Sequence, residues 1–346
     1  MFFDFIIFLP FISAFLITFF VTPICIKLIR KFNLVDDPKR KHPAIIHKKP
    51  IPRAGGVPLF IGVLTASLIF LPINRAVSGI FLASFISLVL GVMDDKFDIS
   101  PYIRFLVNIF TAVIVVAAGV NIPFITNPFG GILFLNQVHA YFSYLVVIIW
   151  IVWIMNMLNW SKGVDGQMPG IVAISAVVIG ILSLRFPDPN SLIAAKLAFM
   201  ISGASLGFLI FNFYPARIFP GYSATSIYLL LAVVSILSSA KLATAILVMG
   251  VPMMDGIFTV IRRILTGKSP FWHDKKHLHH LLLSIGFSQP YIALFYWIFS
   301  AILGALALVL NSREKLFTIV MLLVIVFGGI LFLQYIIRKT NGKASL

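Results

Sequence analysis

Residues 76–98 read AVSGIFLASFISLVLGVMDDKFD, an apolar run to Met93 followed by three carboxylates, Asp94, Asp95 and Asp98. The run approaches the roughly 20 residues with which a helix crosses a bilayer. Neighbouring carboxylates repel each other, and acids at a helix C-terminus oppose the helix dipole. If the helix continues, Asp94 and Asp98 share a face and Asp95 points about 100° away. The stretch predicts a spanning helix that ends either in an ordinary polar turn or in a site for a cation, a proton or phosphate chemistry.

The composition places the chain in the membrane class. Hydrophobic residues make up 60% and charged residues 11% of the 346 residues, and the charges lie in short islands between apolar runs. The net charge of +16 requires no nucleic acid, because the basic residues lie between predicted spans. We expect an all-α polytopic protein of about 10–11 transmembrane helices, forming a single integral-membrane domain over residues 1–346.

The basic residues also predict an orientation for these spans. The predicted spans cover residues 5–29, 54–72, 76–93, 101–120, 142–158, 168–185, 190–211, 223–238, 241–260, 290–311 and 316–337. With the N-terminus outside, 21 of the 27 Lys and Arg residues fall on the cytoplasmic side, as the positive-inside rule expects. Eight of the eleven acids gather there too, which that rule does not explain. The cytoplasmic face is therefore predicted to carry the site.

Two basic loops on that face indicate an anionic partner. Residues 30–53 enter the second span through Gly55 and Gly56, and residues 262–280 end in HLHH. On charge alone, binding of anionic membrane lipid is the simpler interpretation of the first loop. On the outer side, residues 121–143 are aromatic and contain glycine, and we expect an interfacial hairpin or helix there.

The end of the fifth predicted span, residues 156–166, reads NMLNWSKGVDG. Asn156 and Asn159 are three residues apart and share a helix face, while glycines flank Asp165 in a tight turn. Amides at the end of a span can simply satisfy backbone carbonyls. Two amides, a carboxylate and flexible glycines together favour the rim of a small-molecule site.

Residues 212–226, NFYPARIFPGYSATS, join two spans through a Pro-Gly break. Ser223 and the polar residues after it open the next helix, whose free N–H groups would form a phosphate site. Arg217 adds a cation, and Phe219 offers an aromatic face to a base. A capped turn with an aromatic residue at the membrane interface explains the same residues equally well.

Three histidines, His277, His279 and His280, close the second basic loop. On a helix His277 and His280 would share a face, but HxHH lacks the i, i+4 pair of many zinc sites and has no cysteine nearby. We interpret the three as titratable donors for a diphosphate. Asp255, near the inner end of the ninth span, is an intramembrane acid and hence a functional candidate.

Taken in order, these segments resemble the polyprenyl-phosphate N-acetylhexosamine-1-phosphate transferases, which include UDP-GlcNAc:undecaprenyl-phosphate transferases and the phospho-MurNAc-pentapeptide translocase. The matching stretches span nearly the whole chain: HKKPIPRAGG (47–56), GVMDDKFDIS (91–100), NxxN…GVDG (156–166), NFYPARIFPG (212–221), PMMD (252–255) and DKKHLHHLLLSIGFS (274–288). The PIPRAGG and DKKHLHH forms are more similar to the GlcNAc-transferring branch.

The resemblance implies a reaction and a location. HexNAc-1-phosphate, and within this branch GlcNAc-1-phosphate, would pass from a UDP-sugar to undecaprenyl phosphate with release of UMP, for cell-envelope polysaccharide synthesis. Mg²⁺ would be the cofactor, and the site would lie at the cytoplasmic face of a bacterial-type inner membrane. The partners would be undecaprenyl phosphate, a UDP-N-acetylhexosamine and membrane lipid, and the resemblance is compatible with a homodimer.

The resemblance also implies roles for individual residues. Asp94 and Asp95 would activate the lipid phosphate or help to hold Mg²⁺. Asp165 and Asn159 would contact the nucleoside. Phe219 would stack on uracil, and Arg53 would help the histidines to hold the sugar diphosphate. The implied catalytic residues are Asp94, Asp95, Asp165 and Asp255. The implied substrate-binding residues are Lys49, Arg53, Asn156, Asn159, Lys162, Arg217, Phe219, His277, His279 and His280.

Two positions depart from the family pattern. Tyr222 stands where the family has a metal-binding Asp, and Lys162 replaces the first Asp of DGxDG. A neutral phenol is a poor Mg²⁺ ligand beside a carboxylate, whereas Lys162 could supply part of the metal's charge or pair with Asp94 or Asp95. An impaired paralogue that binds polyprenyl phosphate or a nucleotide sugar is therefore the alternative. A transporter is disfavoured, because its polar groups would lie near the membrane midplane.

Overall fold

Helices make up most of the chain that the computed structural model describes, namely residues 2–39, 47, 49–237, 242–272 and 274–343. The helices are α1 (Phe2–Lys31), α2 (Gly56–Phe70), α3 (Arg75–Phe97), α4 (Pro101–Ala117), α5 (Leu135–Val138), α6 (Phe142–Trp160), α7 (Gln167–Ser183), α8 (Pro189–Asn212), α9 (Thr225–Leu237), α10 (Leu242–Val248), α11 (Gly250–Leu265), α12 (Leu278–Ser284), α13 (Gln289–Val309) and α14 (Ser312–Lys343). The predicted all-α class is confirmed.

Two short antiparallel strand pairs accompany the helices. β1 (Val35–Asp36) pairs with β2 (Ile51–Pro52), and β3 (Phe124–Thr126) pairs with β4 (Ile132–Phe134). The second pair and α5 occupy residues 121–143, the segment predicted to lie outside, which therefore contains both a hairpin and a short helix. Residues 40–46 and 48 of the first basic loop lie outside the described residues, as do the predicted span ends at 238 and 241.

A described helix overlaps each predicted span, with one correction. Six of them, α1, α3, α6, α8, α13 and α14, are long and apolar enough to cross a membrane, and α2, α4, α7 and α9 are shorter apolar helices. The ninth predicted span is not one helix, because α10 and α11 meet at an angle of 89° around Met249. Pro252 lacks an N–H and favours the first turn of a helix, so the chain breaks just before it. The fold is that of a multi-pass membrane protein.

The α9 helix lies at the centre of the bundle. Its residues from Thr225 to Ile236 are all buried, and it packs on α3, α6 and α8. A helix that is apolar on every side must be covered on every side, and here other helices cover it. In contrast α14 exposes large side chains such as Phe317, Val324 and Phe332, which suits a lipid-facing position.

Small residues set the distance between α8 and α1. A Cβ at Gly203 or Gly207 would meet the backbone of α1, at Phe11 O and Phe15 O respectively. Glycines four residues apart are a common means by which membrane helices approach closely. The α2 helix packs against both α1 and α8, and α7 packs against α8, so this pair organises one side of the bundle.

The loop between α8 and α9 is held between α2 and α3. On the α2 side, the N–H of Gly56 donates to Pro220 O over 3.1 Å. On the α3 side, a Cβ at Gly91 would overlap the backbone of Ser223. Both helices therefore approach the loop through a glycine, and the loop's position follows from this packing.

We expect Gly91→Ala to destabilise the protein by about 1–3 kcal/mol, because its methyl group must displace the backbone of Ser223. Gly328→Ala is the matched control, since a Cβ on this glycine of α14 has no neighbour within 4 Å. The measurement is the thermal unfolding midpoint of the purified proteins in detergent. Equal midpoints for the two variants would contradict the packing described here.

Candidate active site

Five polar segments that are distant in sequence converge on one cavity of about 450 Å³. One segment precedes α2, and one runs from the end of α3 into the start of α4. A third lies at the end of α6, a fourth joins α8 to α9, and the last follows α11. The cavity brings together most of the residues implied by the sequence: Arg53, Asp94, Asn156, Asn159, Lys162, Asp165, Phe219, His277, His279 and His280. The segments that were assigned to one face of the membrane therefore meet at one end of the bundle.

Four of the implied residues do not line this cavity. Lys49 and Arg217 have exposed side chains, so neither is placed to bind a ligand in it. Asp95 and Asp255 are buried behind the cavity wall, 5% and 3% exposed. Ten of the implied residues therefore line the cavity, whereas Asp95 and Asp255 contact other residues of the protein behind its wall.

Asp95 binds the start of the α9 region. Its two carboxylate oxygens accept hydrogen bonds from the backbone N–H groups of Tyr222 (2.7 Å) and Ser223 (3.2 Å). Gly221 precedes them at φ +68°, and a Cβ there would overlap the Asp95 carboxylate. This corrects the expectation of free N–H groups for phosphate at this helix start, since the protein's own carboxylate uses them.

Asp94 faces the cavity and is paired with a cation from the next helix. The α3 helix continues to Phe97, so Asp94 and Asp95 point in different directions, as the spacing predicts. The Arg104 guanidinium of α4 donates to both Asp94 oxygens over 3.2 Å. Arg104 was not among the residues selected from the sequence, although a lone cation inside an apolar helix is itself a signal of function.

Tyr222 lies against two cations in the cavity wall. The ring centroid is 4.9 Å from the Arg104 guanidinium carbon and 5.9 Å from the Lys162 Nζ. Its hydroxyl accepts a hydrogen bond from Asn108 over 3.1 Å. Burial raises the pKa of Tyr222 to about 12, so the phenol is neutral at physiological pH.

Lys162 is fixed by the same loop. Its ammonium donates to Gly221 O over 2.8 Å, and Arg104, not Lys162, makes the ion pair with Asp94. Burial lowers the pKa of Lys162 to about 8, although the nearby Asp95 opposes this shift. The ammonium form therefore still predominates at neutral pH.

Arg53 is surrounded by three carboxylates. Its guanidinium lies 3.5 Å from Asp95, 3.7 Å from Asp98 and 4.0 Å from Asp36. Burial by itself would lower the pKa of Arg53, but the carboxylates outweigh it and raise the pKa. The β1–β2 pair holds Arg53 in this position, because Arg53 follows β2 directly and its N–H donates to Leu34 O.

The cavity lining also contains amide and carboxylate groups. The Asp165 carboxylate accepts from the Ala216 N–H over 2.9 Å, and burial raises its pKa despite this bond. Asn156 lines the cavity and donates to Val152 O over 2.8 Å, the backbone contact that the simpler interpretation expects of this amide. The buried Asn159 Oδ1 has no hydrogen-bond partner among the described residues and is free to meet a ligand.

An aromatic pair lies beside these groups. Phe219 and His47 both line the cavity, and their ring centroids are 5.2 Å apart. Phe219 was expected in the site from the sequence, whereas His47 was not. Phe219 therefore presents part of its ring where a planar base could stack.

The three histidines line the cavity in a different way from that expected on one helix. His277 precedes α12 in extended conformation, so it shares no helix face with His280. Its Nδ1 lies 3.0 Å from Asp255 and 3.3 Å from Thr259, which makes Asp255 a positioning residue for the imidazole. Burial lowers the pKa of His279 well below its usual value and that of His280 to about 4, so both are neutral at pH 7.

Asp274 anchors the loop between α11 and α12. It accepts hydrogen bonds from Arg262 (3.0 Å) and Arg263 (3.1 Å), and both Asp274 and Arg263 line the cavity. Burial would raise the pKa of Asp274, but the Lys276 N–H and the two guanidinium groups lower it to about 2. Asp274 opens the matching stretch DKKHLHHLLLSIGFS but was not selected as a site residue, and Arg262 and Arg263 precede that stretch and looked like part of an ordinary basic loop.

Comparison with known proteins identifies the family of this chain. The model of glycosyl transferase family 4 matches residues 77–239. A probable undecaprenyl-phosphate N-acetylglucosaminyl 1-phosphate transferase of Bacillus subtilis is 31% identical over 339 residues, which cover 96% of this chain and 91% of that protein. The chain belongs to glycosyl transferase family 4. The enzyme class expected from the resemblance, a phosphoglycosyl transferase, is confirmed.

Other relatives carry related names. A decaprenyl-phosphate N-acetylglucosaminephosphotransferase of Mycobacterium leprae is 28% identical, over 95% of this chain and 90% of that protein. An undecaprenyl-phosphate alpha-N-acetylglucosaminyl 1-phosphate transferase of Thermotoga maritima is also 28% identical, over 96% of this chain and 99% of that protein. These family members therefore correspond to the present chain over almost their whole length.

The described residues do not fit the Mg²⁺ ion that the family resemblance implies. Mg²⁺ binds about six oxygens and favours carboxylates. Asp94 is paired with Arg104, Asp95 is turned away onto backbone N–H groups, and the Tyr222 phenol is neutral. Among the described residues, no three His, Cys, Asp or Glu side chains are grouped so as to hold a metal.

We expect Asp274→Asn to reduce stability by about 1–2 kcal/mol at neutral pH, because it leaves two largely buried guanidinium groups without their carboxylate. The folded-state pKa of about 2 lies below the ordinary 3.8. This stabilisation is therefore fully present above about pH 4 and is lost as the pH falls towards 2. Unfolding midpoints across this pH range should show the gap between parent and variant closing in acid.

Asp37→Asn is the control, since Asp37 is exposed and caps only a local turn through the Lys39 N–H. A gap that stays constant with pH, or an equal loss in the control, would contradict the role given to Asp274.

Proposed function

We propose that this enzyme transfers N-acetylglucosamine 1-phosphate from a UDP-sugar to undecaprenyl phosphate, releasing UMP, at the cytoplasmic face of the membrane. The relatives' names support the polyprenyl phosphate acceptor and the sugar phosphate. The observation that carries the proposal for this chain is the cavity itself. It places several fixed cations beside amide and aromatic groups at one end of an apolar bundle.

The main physical obstacle to this reaction is electrostatic. A lipid phosphate and a nucleotide diphosphate are both anions and must approach within bonding distance. Arg53, Arg104, Lys162 and Arg263 line the cavity and offset that repulsion, in surroundings where burial strengthens electrostatic attraction. Because these side chains are held by the fold, they need little reorganisation as the charge moves during transfer.

The reaction balances without an external oxidant or reductant. An oxygen of the lipid phosphate attacks the sugar-bearing phosphorus of the donor, and the bond from that phosphorus to the bridging oxygen breaks. The bridging oxygen leaves as part of UMP. The contact between Asp94 and Arg104 supports two roles that we assign to this carboxylate: it orients Arg104 and accepts a proton from a singly charged lipid phosphate.

Other residues of the cavity lining suit the nucleoside. Phe219 offers a face to uracil, and Asp165 and Asn159 offer acceptors to its N–H group or to the ribose hydroxyls. The neutral imidazoles of His279 and His280 can each donate one N–H to the diphosphate without adding charge.

The alternative is a family member that binds these ligands without transfer. Its support is specific: the Asp94 carboxylate is occupied by Arg104, and a neutral phenol stands where the family pattern has an acid. The alternative shares the ligands of the proposed function and differs only in turnover.

The deciding experiment is a transfer assay with purified protein, undecaprenyl phosphate and UDP-N-acetylglucosamine labelled in the sugar. We expect labelled lipid and stoichiometric UMP. Asp94→Asn should reduce the rate about 100-fold or more, because it removes a charge that orients Arg104 at the reacting phosphates. Lys339→Met, an exposed substitution on α14, should leave the rate unchanged.

Absence of labelled lipid with UDP-N-acetylglucosamine and with other UDP-N-acetylhexosamines would contradict the proposal. If undecaprenyl phosphate still bound under those conditions, the binding-only alternative would be correct.

A further inference from the structure

We propose that Lys162 and Arg104, both held against Tyr222, provide the phosphate-binding charge of this site, so that it binds a nucleotide-sugar diphosphate without a divalent cation. The identity of the ligand rests on the proposed function. The independence from metal rests on the positions of these side chains.

The two cations are fixed by separate parts of the fold. Arg104 is held by both oxygens of Asp94 and lies 4.9 Å from the Tyr222 ring centroid. Lys162 is held by Gly221 O, within the loop that Asp95 anchors. Cations next to an aromatic ring gain a further electrostatic attraction, which strengthens as water is excluded.

Lys162 keeps the capacity to bind a ligand oxygen. Its ammonium carries three N–H donors, and in the part of the chain that the structure describes it makes one hydrogen bond, to Gly221 O. Within the same residues it forms no ion pair inside 4.0 Å, whereas Arg53 and Arg104 are both paired. The remaining donors therefore face a cavity in which a phosphate oxygen would be their natural acceptor.

A divalent cation would be placed poorly at the same point. A Mg²⁺ ion next to Asp94 would compete with Arg104 for the carboxylate. It would also find the neutral Tyr222 phenol as a neighbouring oxygen and the Lys162 ammonium close by. Such an ion would lose carboxylate ligands and gain repulsion, while the two side-chain cations already supply positive charge.

The test is calorimetric titration of the purified full-length protein with UDP-N-acetylglucosamine, once with EDTA and once with MgCl₂. We expect dissociation constants that agree within about twofold between the two conditions. Lys162→Met should weaken binding about tenfold or more in both, and the Lys339→Met control should match the parent in both. Binding that is about tenfold tighter with MgCl₂ would overturn the proposal, as would the absence of binding in both conditions.

A second variant tests the same idea in the opposite direction. Lys162→Asp combined with Tyr222→Asp places two carboxylates near Asp94 and removes one of the two cations. We expect this double variant to bind Mn²⁺, detected by electron paramagnetic resonance, and to bind UDP-N-acetylglucosamine more tightly with a divalent ion than with EDTA. A folded double variant that binds no Mn²⁺ would overturn the proposal, and Lys162→Met decides the matter if the double variant does not fold.

These results are separable from those of the transfer assay. Metal-independent binding that depends on Lys162, without any transfer product, would refute the proposed function and leave this inference standing. Transfer that stops in EDTA, with binding lost at the same time, would support the proposed function and refute the inference.

Discussion

The hydrogen bonds from the Tyr222 and Ser223 N–H groups to the Asp95 carboxylate are the contact on which the site depends. They join the end of α3 to the start of α9, the most deeply buried helix of the bundle. A carboxylate at the start of a helix is stabilised by the N–H groups there. The contact is possible because Gly91 and Gly221 carry no Cβ where the two segments meet.

This contact also explains how two adjacent carboxylates can coexist in an apolar protein. Asp94 and Asp95 point in different directions and have different partners. Asp94 pairs with Arg104, whereas Asp95 accepts from backbone N–H groups and lies next to Arg53. Burying such charges costs several kcal/mol per ion, so a cluster of this kind contributes little to stability. The presence of these buried charges is better explained by a requirement for fixed charge at the cavity.

The same arrangement distinguishes this chain from the family pattern. The loop that Asp95 anchors carries Tyr222 in place of an acid, and the loop after α6 brings Lys162 to Gly221 O. The two changes are therefore neighbours in space although they lie far apart in sequence. Relative to that pattern, the two changes remove two negative charges and add one positive charge, which is why we propose that the site is itself cationic where the pattern has a site for a cation.

The amino-acid sequence predicts the helices well, because apolar runs bounded by polar islands indicate membrane spans directly. It does not predict the break at Met249, since Gly250 and Pro252 are also tolerated within spanning helices. It identifies Asp94, Lys162 and the histidines, but it does not show that Arg104 pairs with Asp94, because that contact joins two different helices. Arg217 was assigned to the site as a cation next to a helix start, and only the course of the loop shows that its side chain is exposed.

Binding of the diphosphate by side-chain cations without a metal is tested most directly by an experimental structure of the protein with UDP-N-acetylglucosamine and excess Mn²⁺, with the manganese located by anomalous scattering. We expect a diphosphate oxygen within hydrogen-bonding distance of the Lys162 ammonium, Asp94 still paired with Arg104, and no manganese between Asp94 and Tyr222. A manganese ion bound to Asp94 and bridging to the diphosphate would contradict this expectation.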